Sequence, residues 1–394
     1  MRLTNRGMKR AAHSTLALLE RLVAFDTVSR HSNLEMIDFM EGWLAEYGVP
    51  CWRIPFGPEK ANLLARIGPE APGGIVLSGH TDVVPVDDQD WRTNPFRLHV
   101  DEETGRAYGR GTADMKGFIA SALALVPEIV GLPLSRPVYL AFSCDEEVGC
   151  TGVRPMIAWM RAHLPPIAGV FVGEPTGMKV VTAHKGIMSA TTVITGREAH
   201  SSCPQLGVNA AHYAAPVMTK IVALSAALAK QADEDSGFDP PYTTVQIGRV
   251  RAGTARNIVP RHCTIEWEAR LMPDVDGDAL IAEVDDFCRT QVEPEMKAHW
   301  PGAGIVTEVN NRVPGLKHDP DSWPVQAALQ ALGENATHCV PYGTEAGLFQ
   351  QAEMPAVVCG PGHIAQAHKP DEYVDLSQLE ACDAFLRRLV KNCL

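Results

Sequence analysis

Short apolar runs that end in an acid or an imidazole recur along this chain, separated by stretches of helical periodicity. Ile75-Val-Leu-Ser-Gly-His80 follows a Gly73-Gly74 turn signal and leads into Asp82. Val138-Tyr-Leu-Ala-Phe-Ser143 leads into Glu146 and Glu147, Val170-Phe-Val172 into Glu174, and Ala356-Val-Val358 into His363 and His368. Runs this short, without alternation, read as buried strands. The intervening and flanking segments at 16–25, 34–47, 115–130, 325–332 and 376–390 carry a helical pattern. Strands alternating with helices specify an α/β fold with a mostly parallel sheet flanked by helices. In such a sheet ligands gather beyond the carboxyl ends of the strands. The acids and imidazoles are therefore expected along one edge.

The alternation breaks after about Lys185. Residues 187–195 read as a strand, 208–232 as a long helix, 243–250 and 263–271 as strands, 279–291 as a helix and 305–309 as a last strand. That βαββαβ order predicts a small antiparallel α+β domain of ferredoxin-like type inserted into the first. The expected division is 1–184 and 314–394 for the sheet-bearing domain and 185–313 for the insert. A chain of 394 residues has room for two such cores.

A formal net charge of −12 repels a phosphate backbone, which argues against nucleic acid as a partner. No run of about 18 apolar residues is present, so no membrane span is expected. The basic N-terminus is interrupted by Glu20 and Arg21 and reads as the preface to an amphipathic helix rather than a signal peptide. The ten cysteines show no CxxC pair, as expected of a reduced, cytoplasmic protein.

Each acidic segment has a plain reading by itself: Gly-His-Thr-Asp a capped turn, Asp145-Glu146-Glu147 a solvated loop, Gly-Glu-Pro-Thr a turn. Their shared position after strands points to a metal site. His80 and Asp82, two apart in extended chain, face one side. One can bind a metal while the other accepts the imidazole's second N–H. Adjacent Glu146 and Glu147 diverge, so one can ligate while the other acts as general base. Asp114, ending Gly109-Arg-Gly-Thr-Ala-Asp114 ahead of a helix, can bridge two ions about 4 Å apart. Mixed imidazole and carboxylate ligands suit zinc, cobalt or manganese.

Ser78-Gly-His-Thr-Asp-Val-Val-Pro85, Gly109-Arg-Gly-Thr-Ala-Asp-Met-Lys-Gly117, Cys144-Asp-Glu-Glu-Val-Gly149 and Gly173-Glu-Pro-Thr176 resemble the successive signatures of the M20 metallopeptidases and deacylases. Val86-Asp-Asp-Gln-Asp-Trp91, Ala183-His-Lys-Gly186, Tyr342-Gly-Thr-Glu-Ala346 and Gln366-Ala-His-Lys-Pro-Asp-Glu-Tyr373 are similar to the branch of that family that deacetylates N-acetylornithine. The desuccinylase branch carries a Ser-Asp pair where this chain has Thr344-Glu345. Gly343 and Gly347-Leu348-Phe349 depart from the branch's wording, and His363 stands where a small polar residue is usual.

The resemblance implies a zinc-exopeptidase-like fold whose insert serves as lid and dimerisation domain. It implies two divalent metal ions, zinc foremost, with cobalt or manganese as alternatives. His80, Asp114 and Glu174 would hold one ion and Glu147, Asp114 and His368 the other. Asp82 would orient His80, and Glu146 would be general base and acid. His200 would stabilise the oxyanion, supplied by the mate in a homodimer. Arg256 and Asn257 would grip the α-carboxylate of a small N-acyl amino acid. Glu345 is expected near a cationic substrate tail. No role is expected for His184 or His363 beyond structure.

Overall fold

The computed structural model describes residues 14–394; the basic stretch read above as a preface to the first helix lies outside the described residues. Contacts divide the chain into two units. One runs to Ala183 and resumes over His318–His338 and Thr344–Leu394; the other comprises His184–Lys317 and Cys339–Gly343. The return from the insert thus falls at Lys317, a few residues beyond the expected 313. The piece Cys339–Gly343 also joins the second unit, which no periodicity in the sequence marks.

The first unit is built on seven neighbouring strands of one sheet. Their order is Cys51–Pro55, Ala61–Ile67, Val138–Ser143, Gly74–His80, Ile167–Pro175, Ala356–Gly360 and Val181–His184. Every residue of Gly74–His80, Val138–Ser143 and Ala356–Gly360 is buried. Together with Ile167–Pro175 they make four central strands that pair in parallel. Strands covered on both faces carry apolar side chains at successive positions, hence the unbroken apolar runs. Cys51–Pro55 and Ala61–Ile67 pair antiparallel at one side. Around the sheet lie the helices Thr15–Val23, Lys116–Ile129 and Leu376–Val390. They bury Leu18, Leu22, Phe118, Ile119, Leu123, Phe385 and Leu389 in one core, each worth about 1.5–3 kcal/mol.

A second, three-stranded antiparallel sheet escaped sequence reading. It pairs His99–Asp101 with Arg106–Tyr108, and Arg106–Tyr108 with Tyr373–Asp375. Strands of three residues carry too little pattern to be read. Their effect is large, because Tyr108 stands opposite Tyr373. The segment leading to Asp114 and the segment that follows His368 are thereby laid side by side.

The second unit has its own core and a four-stranded sheet in the order Thr244–Ala252, His262–Leu271, Gly186–Thr195, Gly304–Val313. Every neighbouring pair is antiparallel. Numbered along the chain this is 2-3-1-4, the ferredoxin-like arrangement expected. Burial along Gly186–Thr195 alternates strictly, the period of a half-covered sheet. The helix Ala210–Ala229 is capped by Asn209, whose Oδ1 accepts from Ala211 N and His212 N at 3.0 and 3.2 Å. By length and composition it passes for a membrane-crossing helix, although His212 and Lys220 interrupt its apolar run. Its buried residues, Ala210, Ala214, Val217, Ile221, Leu224 and Leu228, follow the spacing of one helix face.

Candidate metal centre

The parallel strands deliver the acids and imidazoles to one sheet edge. His80 is the last residue of its strand, and Glu174 lies within Ile167–Pro175. Glu146 and Glu147 follow Ser143. Asp114 arrives from the loop ahead of Lys116–Ile129. That loop turns at Gly111, with φ of +81°, where a Cβ would lie 2.8 Å from Val83 Cγ1; only glycine fits both demands. His368, itself at φ +63°, is brought in by the small sheet.

Asp114 lies between the two histidines. Its Oδ1 is 3.0 Å from His80 Nε2 and its Oδ2 is 3.2 Å from His368 Nε2. His368 Nε2 is also 3.1 Å from Glu147 Oε2, and His80 Nε2 is 3.8 Å from Glu174 Oε1. Ligand atoms of His80, Asp114 and Glu147 lie within 4.8 Å of one another, as do those of His80, Glu146 and Glu174. Two donors on one tetrahedral zinc, each about 2.0–2.2 Å from it, stand roughly 3.3–3.6 Å apart. The imidazole-to-carboxylate spacings of 3.0 to 3.8 Å bracket that distance, so small side-chain adjustments would seat two cations sharing Asp114. The charges fit as well: the three acids expected as ligands, Asp114, Glu147 and Glu174, would bring three negative charges against the four positive ones of two divalent ions.

Without cations this cluster is electrostatically frustrated. Burial, above all, raises the Glu146, Glu147 and Glu174 carboxyls, Glu147 to about 7, and their acidic neighbours add to the effect. Hydrogen bonds to Asp114 and Glu147 push His368 up to about 10. Burial opposes ionisation of Asp114, but His368 and His80 outweigh it and hold the carboxyl well below its usual range. Groups whose protons are shared in this way are those a cation would displace.

The contacts of Asp82 differ from expectation. His80 Nδ1 meets the main-chain oxygen of Asp82 at 2.9 Å, while the nearer carboxylate oxygen is 3.7 Å away. The carboxylate accepts instead from Glu146 N (3.1 Å), Glu147 N (3.2 Å) and Ser29 Oγ (2.8 Å). A carboxylate prefers two aligned N–H donors to a distant imidazole, so Asp82 holds both neighbours: His80 by its main chain, the Glu146 loop by its side chain. That loop is tied further by Lys60, whose ammonium meets Asp145 and the Ser29 carbonyl. Cys150 Sγ lies 3.2 Å from Glu146 Oε1. Ser29, Lys60 and Cys150 were missed because isolated residues of these types carry no spacing signal.

Glu345 is 1% exposed, at the same depth as His80, and burial raises its carboxyl to about 7. A wall of the substrate pocket would present it to solvent, so its placement does not favour gripping a cationic tail. His184 is buried, its Nδ1 on the Lys185 carbonyl at 3.0 Å, whereas His363 is exposed.

In the second unit His200 and Arg256-Asn257 come together. His200 bridges to Ile258, and Ser201 N donates to Asn257 O at 3.0 Å. Ser202 N donates to His200 Nδ1 at 3.1 Å. That nitrogen is therefore an acceptor, which leaves the proton on Nε2, a hydrogen-bond donor. Ser201, Asn209, Arg256 and Ile258 line a cavity of about 590 Å³.

Residues 76–392 match the peptidase family M20/M25/M40 along most of the chain. This chain belongs to that family. An acetylornithine deacetylase of Yersinia pestis is 35% identical over 375 residues, covering 94% of this chain and 93% of the relative. The aminopeptidase PepT of Bacillus cereus shares the fold, with a TM-score of 0.74 at 21% identity over 96% of this chain and 98% of that one. So does YXEP of Bacillus subtilis, a dinuclear metal-binding peptidase of the M20 family, with a TM-score of 0.65 at 19% identity over 97% and 98%. The family and fold expected from the M20 signatures are thus borne out.

Proposed function

We propose that this M20 chain deacetylates N-acetyl-L-ornithine to L-ornithine and acetate, a step of arginine biosynthesis, using two divalent ions with zinc foremost. The observation that carries the reading is Asp114 with one carboxylate oxygen toward each histidine; the near full-length likeness to acetylornithine deacetylases supports the substrate. His80, Asp114 and Glu174 would hold one ion and Glu147, Asp114 and His368 the other; such a pair, when bound, would lower the pKa of a water and polarise an acyl oxygen. Glu146 takes a proton from the attacking water at a carboxylate oxygen and returns it to the departing amine nitrogen. His200 donates from Nε2 to the developing oxyanion, in the site of a second copy within a homodimer. Arg256 binds the α-carboxylate with both arms of its guanidinium, and Asn257 adds an amide donor. The ten unpaired cysteines support a cytoplasmic location.

Burial of Glu345 favours a second reading: the same machinery acting on another N-acyl amino acid, such as acetylcitrulline or succinyl-diaminopimelate, or on a dipeptide. A panel of these substrates, assayed with zinc- or cobalt-loaded protein beside metal analysis, separates the two. N-acetylornithine is expected to give the highest kcat/KM; a better rate with another member reassigns the substrate.

A further inference from the structure

Between the loops that carry Asp114 and His368 runs a polar chain, buried at Arg110 and Glu372 and half-buried at Gln89, that the chemistry above does not use. Glu372 Oε1 accepts from the main-chain nitrogens of Ala113 and Asp114 at 3.0 and 3.1 Å. Its Oε2 accepts from Arg110 Nη1 at 2.7 Å, and both side chains are 1% exposed. Arg110 also donates to the Lys369 carbonyl at 3.2 Å and, through Nη2, to Gln89 Oε1 at 2.6 Å. Gln89 Nε2 donates to the His368 carbonyl at 3.1 Å, and Trp91 Nε1 donates to Gln89 Oε1 at 3.0 Å. The Trp91 ring lies 5.0 Å from the guanidinium carbon.

A buried ion pair adds little net stability over an apolar pair, because desolvating both charges costs several kcal/mol. What this pair gains is geometry: its remaining bonds reach the main chain beside Asp114 and His368. We infer that Gln89, Arg110 and Glu372 are positioning residues that set the distance between Asp114 and His368, and with it the affinity of the cation those two share with Glu147. The inference rests on the dinuclear reading above. The other cation depends on it less, since His80 and Glu174 sit in buried central strands. The His368 side chain, by contrast, is half exposed on left-handed backbone. Supporting contacts of this kind typically change metal affinity by about 10–100-fold.

The test titrates the metal-stripped full chain with zinc by calorimetry and follows cobalt by its visible spectrum. Gln89→Leu and Glu372→Gln are each expected to weaken one of two binding steps about 10–100-fold, leaving the other within about threefold, with an altered cobalt band for the weakened site. Two steps unchanged in both variants, or two steps weakened alike, would overturn the brace. Should Glu372→Gln fail to fold, Gln89→Leu, which leaves the ion pair in place, decides the matter. An unaltered chain that takes up no cation would sink the dinuclear reading itself, whereas two equivalents bound with unchanged affinity in every protein would sink the brace alone.

Discussion

In the reading proposed above, hydrolysis turns on Glu146, which takes and returns the proton. Burial raises its carboxyl, with Glu147, Glu345 and Asp114 behind it and His80 pulling the other way; a base must hold a proton readily and give it back. Glu146→Gln is expected to lower kcat by about 10²–10⁴ while both metal equivalents remain. Steady-state kinetics and metal analysis on one preparation check this, and loss of metal would recast Glu146 as a ligand. In that same reading the Nε2 proton of His200 serves charge that develops only in the transition state, so His200→Ala should cost about 10²–10³ in kcat with KM nearly constant. A change confined to KM would make it a substrate contact. The buried Glu345 carboxyl points to support rather than selection. Glu345→Gln is then expected to reduce turnover of acetylornithine and of uncharged acyl amino acids by the same factor, and selective loss of acetylornithine would restore the ion-pair role.

At the scale of elements, the strand Ile167–Pro175 shows how tightly the site is tied to packing. Gly173 precedes Glu174, and a Cβ there would fall 2.0–2.3 Å from the Phe118 ring. Phe118 belongs to the helix that follows Asp114, so helix and strand close on each other at this one position. Gly173→Ala is expected to destabilise the fold by about 1–3 kcal/mol, the usual range for overpacking, as read from denaturant unfolding; an unchanged midpoint would show that Phe118 yields freely. These strands were legible because continuous burial leaves an unbroken apolar run. Val153–His163, Ala346–Gln351 and the three-residue strands were not, being short or weakly patterned.

For the molecule as a whole, cations and protons compete for the same buried groups. In the cation-free chain His368, raised to about 10, stabilises the fold fully below its ordinary value of 6.5, and that contribution fades as pH rises through 10. Glu147, raised from 4.5 to about 7, acts in the same sense: the folded chain holds its proton more tightly, so stability falls as pH climbs across that interval. Asp114 works oppositely, losing its contribution only as pH drops below 3.8. Tm of the metal-stripped protein should therefore fall from about pH 5 to about pH 9. With zinc it should rise over that range as ligands deprotonate. Scanning calorimetry with and without zinc compares the slopes; parallel slopes would mean that these acids do not bind the ion. Chelation at neutral pH should lower Tm, each site contributing about 4 kcal/mol at a thousandfold excess of ion over Kd.

The sequence alone determined the order of the central parallel strands and the longer helices, the inserted βαββαβ unit and the residue types at the sheet edge, because burial and ligand chemistry select residues locally. It also carried the family, through several motifs in one order. Only the tertiary structure decided how those residues meet. The pairing of Tyr108 with Tyr373, the main-chain hold of Asp82 on His80, and the chain through Gln89, Arg110 and Glu372 join positions up to 279 residues apart. Such contacts impose no period on the sequence: a strand register, a turn that meets a ring nitrogen, or a single side chain finding its partner leaves no repeat, and folding alone fixes which groups meet.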